Sequence, residues 1–276
     1  MTAPARSRRE PDLADELAFS LEVAARAGRL LMERYERVEQ IDYKSARDVV
    51  TEVDHLSEAL ILEAIRRDWP GDGILAEESG EHAGTTAGVA SSLVRGRTWV
   101  VDPLDGTINY ANGIPVFCVS IALVIDGRPS VGVVHDPTRH ETFSAVVGGS
   151  ARLDGRPIAA SDKERLSDFV VSMALGGRSV ATRARNVRKA IRVSRSMGSA
   201  ALALAYVANG RFDAFVQQGG LSAWDVAAAG LIADRAGATV TDLAGAPWFD
   251  LGRQPRSIGI LAAPTAHHGP LLALVR

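Results

Sequence analysis

The densest run of chemistry-bearing residues is Asp102-Pro-Leu-Asp105-Gly106-Thr107-Ile-Asn109, which follows the apolar Trp99-Val-Val. A proline directly after Asp102 lacks a ladder donor, which predicts that strand pairing ends there and the chain turns. Two carboxylates three positions apart on such a turn can converge on one cation. Gly106 permits close backbone approach, and Thr107 opens a helix whose free amides suit an anion such as phosphate. The segment reads as hard oxygen ligands for a metal beside a phosphate cradle. The plain alternative is an acidic turn with a capping threonine. Further acidic groups lie elsewhere: Glu77-Glu78-Ser79 after a strand, Asp54 in Thr51-Glu-Val-Asp54, and Asp225 after Trp224. Each has an ordinary explanation, namely surface charge for Glu77 and Glu78, a capping box for Asp54 and helix-dipole stabilisation for Asp225. Together they put several carboxylates at element ends, where active sites are built.

Elements must position these groups. Leu17, Leu21, Ala24, Gly28 and Leu31 share one helical face, which predicts a first helix ending near Tyr35. Residues 1–12 read as a frayed lead, and the polar stretch Lys44 to Asp48 as a loop. Thr51 caps a second helix with Leu56, Leu60 and Ala64 as its buried stripe, stopped by Trp69-Pro-Gly71. Short strands follow at Gly73–Glu77 and Thr98–Asp102. Residues 116–125 and Ser130–Val134 form a hairpin about Asp126-Gly127, with another strand at Phe143–Val147 and another turn at Asp154-Gly155. Beyond it, Phe169–Met173 and Phe212–Val216 are strand-like, and Ala200–Ala208 and Trp224–Ala236 are apolar helices. Hairpins with helices set between them argue for a mixed α+β or layered α/β fold, with a boundary near 150–165 and no flexible linker.

The 276 residues suffice for one large or two small cores, and 46% apolar with 23% charged residues excludes disorder, collagen and coiled coil. A net charge of −2 gives no global case for nucleic acid or an anionic membrane. The single Cys118 excludes a disulfide framework, and the longest apolar run, Val116 to Ile125, is about half a bilayer span. A soluble, cytoplasmic protein is expected. Three other signals fail on context. Gly71-Asp-Gly73-Ile-Leu-Ala76 matches a dinucleotide fingerprint but follows a helix and opens a strand, the reverse of what that fingerprint needs. Asp102 and Asp105 have the wrong spacing for an aspartyl-phosphate enzyme. An EF-hand starting at Asp102 would need an oxygen ligand at Leu104 and a glutamate at Gly113. His267-His268 reads as surface, Cys118 as core, and the tryptophans as packing. Seven basic residues from Arg178 to Arg195 read either as a solvated helix or as a rim that attracts phosphorylated molecules.

Four ordered blocks resemble the inositol monophosphatase family of Mg²⁺-dependent, often lithium-sensitive phosphatases. They are Asp48-Val-Val-Thr-Glu-Val-Asp54, Ala76-Glu-Glu-Ser79, Trp99 to Tyr110, and Ala223-Trp-Asp-Val-Ala-Ala-Ala-Gly230. The resemblance implies a layered αβαβα sandwich, assembled as a homodimer, with two or three Mg²⁺ ions. Residues 13–155 would carry the main metal site, and residues 156–276 would supply Asp225 and substrate contacts to the same functional unit. Glu77, Asp102 and the carbonyl of Leu104 would hold the first ion. Asp102, Asp105 and Asp225 would hold the second, with a weaker third near Glu77. Asp54 and Thr107 would orient the attacking water, and the amides of Gly106 and Thr107 would bind phosphate. Lys44 would lie in a mobile loop over the site. Carboxylate and carbonyl donors without thiolate or imidazole suit Mg²⁺.

Two departures concern the substrate. Inositol-specific relatives carry a glutamate about seven residues before the Trp-Asp pair, where this chain has Gln217 and a stretch that reads one residue longer. Ser199 stands where threonine is frequent, near the substrate side. The function expected is hydrolysis of inositol 1-phosphate or a similar small polyol or sugar phosphate, with no membrane and no nucleic acid as partner. Histidinol phosphate, fructose 1,6-bisphosphate and 3′-phosphoadenosine nucleotides are alternatives within the family. A non-enzymatic RNA- or transcription-associated regulator is the alternative of another class.

Overall fold

A computed structural model describes residues 12–35, 41–45, 48–84, 96–176 and 181–276, excepting the side chains of 41–45 and 48–50. Helix α1 (Ala14–Arg34) leads into a hairpin of β1 (Ile41–Ser45) and β2 (Asp48–Thr51), where the polar composition had suggested a loop. Lys44 lies on β1; its side chain, like residues 1–11 and Arg178, is outside the described set. Helix α2 (Glu52–Asp68) follows, then β3 (Gly73–Ala76), β4 (Gly80–His82), β5 (Arg97–Asp105) and the short α3 (Thr107–Ala111). The meander β6 (Cys118–Ile125), β7 (Arg128–Asp136), β8 (Glu141–Val146), β9 (Arg152–Leu153) and β10 (Arg156–Pro157) completes a sheet ordered β10-β9-β8-β7-β6-β5-β3-β4. Its two expected tight turns are present, with φ of 48° and 75° at Asp126-Gly127 and 49° and 76° at Asp154-Gly155. These are the left-handed pairs that match strand twist in two-residue hairpins.

The second sheet has β11 (Val170–Ala174), β12 (Val193–Arg195), β13 (Ala214–Leu221), β14 (Ala238–Thr241) and β15 (Ile258–Pro264) in the order β12-β11-β13-β15-β14. Between its strands come α4 (Ala181–Ala190), α5 (Ala200–Ala205) and α6 (Ala223–Arg235), and α7 (Thr265–Val275) ends the chain. The expected helix at 200–208 is α5 tightened into a 3₁₀ turn at Tyr206–Asn209. The basic segment is helical only to residue 190; Val193–Arg195 pairs in parallel with β11.

Strand alternation builds the layers, because successive side chains point to opposite faces. On β5, Trp99 and Val101 join Leu31, Ile61 and Ile65 of α1 and α2, whereas Val100 faces Leu202 of α5 and Ile232 of α6. On β13, Phe215 faces that same central layer, while Ala214 and Val216 turn toward Val187 of α4 and Leu271 of α7. The order is therefore helices, sheet, helices, sheet, helices. Helix α6 belongs to the second half of the chain but seats on the first sheet. A Cβ on Gly132 of β7 would lie 2.8 Å from the carbonyl oxygen of Ala228, so glycine lets backbone meet backbone.

The buried face of α2 differs from the apolar stripe read above. Leu56 is 41% exposed, whereas Ser57 and Glu58 are buried with Val53, Asp54, Ile61 and Ile65. The two polar residues turn inward because each has a partner there. Ser57 donates to the carbonyl of Pro103 at 2.9 Å, and Glu58 accepts the amide of Glu78 at 2.8 Å. His268, expected at the surface, is 7% exposed, with Nε2 3.0 Å from the hydroxyl of Thr241. Cys118 is buried. Among the described residues no helix is long and apolar enough to cross a membrane.

Candidate active site

Strand register brings the first carboxylates together. Strands β3 and β5 are the parallel neighbours of their sheet, with Ala76 opposite Val101. Glu77, one residue on, therefore stands beside Asp102, and its amide donates to the carbonyl of Val101 at 3.1 Å. The Glu77 and Asp102 side chains share a hydrogen bond. Pro103 does not end the strand. Pairing to β6 shifts register between Asp102 and Asp105 and resumes at Asp105 opposite Cys118. Pro103 and Leu104 form a bulge, where a missing amide is tolerated. The bulge turns both aspartates inward, and the amide of Leu104 closes on Asp102 Oδ1 at 3.1 Å.

The second half of the chain supplies the rest. Asp105 Oδ2 accepts the Ser199 hydroxyl at 2.6 Å and the Ala201 amide at 2.7 Å, and its Oδ1 accepts the Ala200 amide at 3.2 Å. Ser199 is 2% exposed and lies beneath Asp105. Asp225 is the third residue of α6, and its Oδ2 accepts the amide of the N-cap Ser222 at 2.5 Å, closing a capping box. One oxygen each from Asp102, Asp105 and Asp225 lies within 4.8 Å of the others. Three carboxylates this close, two of them buried, are costly unless a cation or protons join them. All three are pushed upward. Asp102 rises well above the ordinary range through burial, then the charges of Glu77, Asp105 and Asp225. Asp225 rises to about 7 through burial and the charge of Asp105. Asp105 rises through burial, against the lowering effect of Ser199 and the amides that open α5.

Asp54 occupies a second cap. Its Oδ2 accepts the amide and the hydroxyl of Thr51 at 2.7 and 2.6 Å, and its Oδ1 lies 2.9 Å from the Thr107 hydroxyl. That hydroxyl is also 3.0 Å from the carbonyl of Leu104, so its one proton has two acceptors. Gly106 caps α3 at φ 100°, and a Cβ there would meet the carbonyl of Val116 at 2.9 Å. Gly106 and Thr107 are half-buried. Asn109 ties this turn across to the second half, donating to the carbonyls of Val116 and Met197 at 2.7 and 2.8 Å. Gln217 is half-buried on β13, and its amide donates to the carbonyl of Gly219 at 3.1 Å.

Three supporting residues escaped the sequence reading. Ser57 and Glu58 brace the carboxylate turns from α2; polar residues at helical spacing gave no cue to burial. Arg256, beside the start of α6, has no motif around it.

An acidic, all-oxygen centre set where two sheets and a shared helix layer meet defines this as a layered α/β protein with a candidate metal site. Residues 12–276 match the inositol monophosphatase family, and the chain belongs to it. It is 38% identical over 237 residues to the Nus factor SuhB of Salmonella typhimurium, covering 83% of this chain and 85% of that one. Over 232 residues it is 36% identical to the fructose-1,6-bisphosphatase/inositol-1-monophosphatase of Thermotoga maritima, covering 84% and 86%. The solved extragenic suppressor protein suhB of Bartonella henselae superposes with a TM-score of 0.86 at 32% identity, covering 95% of this chain and 98% of that one.

Proposed function

We propose that this protein is a Mg²⁺-dependent phosphomonoesterase acting on inositol 1-phosphate or a similar small polyol or sugar phosphate. The observation that carries the reading is the convergence of Asp102, Asp105 and Asp225 within 4.8 Å, with Glu77 bonded to Asp102. The donor set fits Mg²⁺, since every group offers a hard oxygen and none is a thiolate or imidazole. Glu77, Asp102 and the Leu104 carbonyl would hold one ion, and Asp102, Asp105 and Asp225 another, with a weaker third near Glu77. When bound, the metal lowers the pKa of coordinated water and neutralises charge on the leaving oxygen.

The chain's own groups do the rest. Asp54, which accepts the amide and hydroxyl of Thr51 on one oxygen, holds the Thr107 hydroxyl with the other so that it orients the attacking water. The amides of Gly106 and Thr107 bind the phosphate, and the lack of a side chain at Gly106 lets this turn lie against the carbonyl of Val116. Ser199 acts behind Asp105, and Gln217 stands at the rim on the substrate side. No side chain serves as nucleophile. Lys44 on the β1–β2 hairpin completes the set as a contributor to closure over the site, and a homodimer is the expected assembly.

The test is phosphate release from inositol 1-phosphate with Mg²⁺, with chelator, and in Asp102→Asn. Wild type should turn over only with Mg²⁺, and Asp102→Asn should be inactive yet folded. Activity in chelator or in that variant refutes the metal assignment. A second reading, a role with the transcription machinery, is favoured by the similarity to a Nus factor and by α4, which carries Arg183, Arg185, Arg188 and Lys189 without one acidic residue. Salt-dependent binding of RNA lost on reversing those four charges would support it.

A further inference from the structure

Asp105 caps a helix that belongs to the other half of the chain. Helix α5 opens at Ser199, whose hydroxyl makes no bond to its own first turn. The first amides of a helix have no partner within it. Those of Ala200 and Ala201 donate to Asp105 at 3.2 and 2.7 Å, and the Ser199 hydroxyl joins them at 2.6 Å. A carboxylate gripped by three donors on two oxygens has little freedom to turn. Whatever places residues 199–201 therefore also aims Asp105 at Asp102 and Asp225.

Asn109 is the residue that places them. It is a buried polar side chain on α3, 8% exposed. A carboxamide nitrogen has two protons to donate, and both go to carbonyls, that of Val116 at 2.7 Å and that of Met197 at 2.8 Å. Val116 leads into β6, where Cys118 pairs with Asp105. Met197 leads through Gly198 into Ser199. Gly198 is at φ 76°, and a Cβ on it would lie 2.9 Å from both Nδ2 and Oδ1 of Asn109. Glycine thus supplies the left-handed turn and also lets it close on the carboxamide. One side chain clamps the chain leading to the strand that pairs with Asp105 and the turn that feeds α5. Neither bond goes to a candidate metal ligand. Both bonds need a donor: aspartate has the same shape but only accepts, and would set a charge against two carbonyl oxygens.

We propose that Asn109 is a positioning residue for the metal centre, which holds the Met197–Gly198 turn so that the Ser199 hydroxyl and the first amides of α5 seat on Asp105. The proposal rests on the reading of these carboxylates as a Mg²⁺ site and adds a residue that acts on the site through Asp105. It makes the junction between the two halves of the chain the element that readies Asp105 for a cation.

The experiment compares wild type, Asn109→Asp and Gly198→Ala by calorimetric Mg²⁺ titration and, without Mg²⁺, by hydrogen exchange. Asn109→Asp removes both donors without opening a cavity, and Gly198→Ala drives a methyl into the carboxamide from the other side. Each should weaken Mg²⁺ binding about tenfold, the lower end of what an outer partner of a metal site contributes. Peptides covering residues 197–203 should lose protection while those of α2 and β7 keep it. Combining Asn109→Asp with Ser199→Ala should weaken Mg²⁺ by less than the product of the two single effects, because both act on Asp105. Unchanged Mg²⁺ affinity in both single variants, multiplicative effects in the double variant, or loss of protection throughout the fold would overturn the proposal; the last would show a purely structural role. Failure of wild type to bind Mg²⁺ would count against the metal reading, and protection of residues 197–203 would still decide whether Asn109 seats α5 on Asp105.

Discussion

Helices α2 and α6 begin alike and do different things. Each opens on a hydroxyl residue, Thr51 or Ser222, with an aspartate three positions on that reaches back to the cap amide, at 2.7 Å in one and 2.5 Å in the other. The second oxygen differs. In Asp54 it faces a hydroxyl, that of Thr107, and the first oxygen takes the Thr51 hydroxyl as well. In Asp225 the carboxylate sits among Asp102 and Asp105. One cap thus presents a carboxylate satisfied by donors, and the other a carboxylate crowded by its own kind. Capping and chemistry are therefore not rival explanations for such a residue: one oxygen fixes the helix end, and what the other faces decides the role.

Substitutions that treat the caps identically should separate them. Asp54→Asn and Thr107→Ala should each lower kcat by about 100-fold or more, as loss of a positioned acid–base group does, with Mg²⁺ affinity nearly unchanged. Steady-state kinetics over a Mg²⁺ titration checks this, and a raised KM with normal kcat would show that Thr107 only binds. Asp225→Asn should do the reverse, weakening Mg²⁺ binding by about 100-fold or more, since losing a ligand costs at least what losing an outer partner does. Calorimetric Mg²⁺ titration reads it directly.

The crowding at Asp225 also predicts a pH dependence. A carboxyl raised to about 7 in the metal-free fold holds a proton that the unfolded chain releases near pH 4. Its stabilisation is full below the unfolded value and is lost as pH rises through about 7. The melting temperature of Mg²⁺-free protein should fall between about pH 4 and pH 7 and level off above that, and Mg²⁺ should reverse the fall. Apparent Mg²⁺ affinity should rise about tenfold per pH unit up to that value, since metal displaces a proton. Scanning calorimetry of wild type and Asp225→Asn should show a shallower slope in the variant. The smallest contrast is between the cap hydroxyls. Thr51→Val and Ser222→Ala should each cost about 1 kcal/mol in denaturant unfolding. Only Thr51→Val should also lower kcat several-fold, because its hydroxyl touches Asp54.

Much of this centre was legible in the chain because its parts are local. Asp102, Asp105, Gly106 and Thr107 lie within one turn, and the Thr51–Asp54 cap announces itself by a four-residue spacing, whereas Asp225 was legible only as a charge at a helix start and its cap Ser222 was not. The parallel pairing that sets Glu77 beside Asp102 was not visible, since register depends on which strands become neighbours. Pro103 was read as a stop because proline lacks an amide; a bulge removes the need for one. The stripe on α2 holds at Ala64 but not at Leu56, because apolar spacing assumes that buried means apolar. Ser57 and Glu58 break that assumption by bonding to the backbone of the very turns that carry the carboxylates. Arg256 was invisible for a different reason: its position is set by a left-handed turn and a three-residue bulge that have no periodic signature.

The close seat of α6 on β7 has a consequence in time. Glu77, Asp102 and Asp105 all lie in the first half of the chain, and Asp225 reaches them only when Ala228 settles onto Gly132. That docking closes a loop of nearly a hundred residues, among the slower events available to a folding chain. A nascent chain therefore carries its repelling carboxylates for some while before the last one arrives. The centre comes into being as the two sheets join, so a cation bound among Asp102, Asp105 and Asp225 would also fasten that late step of assembly.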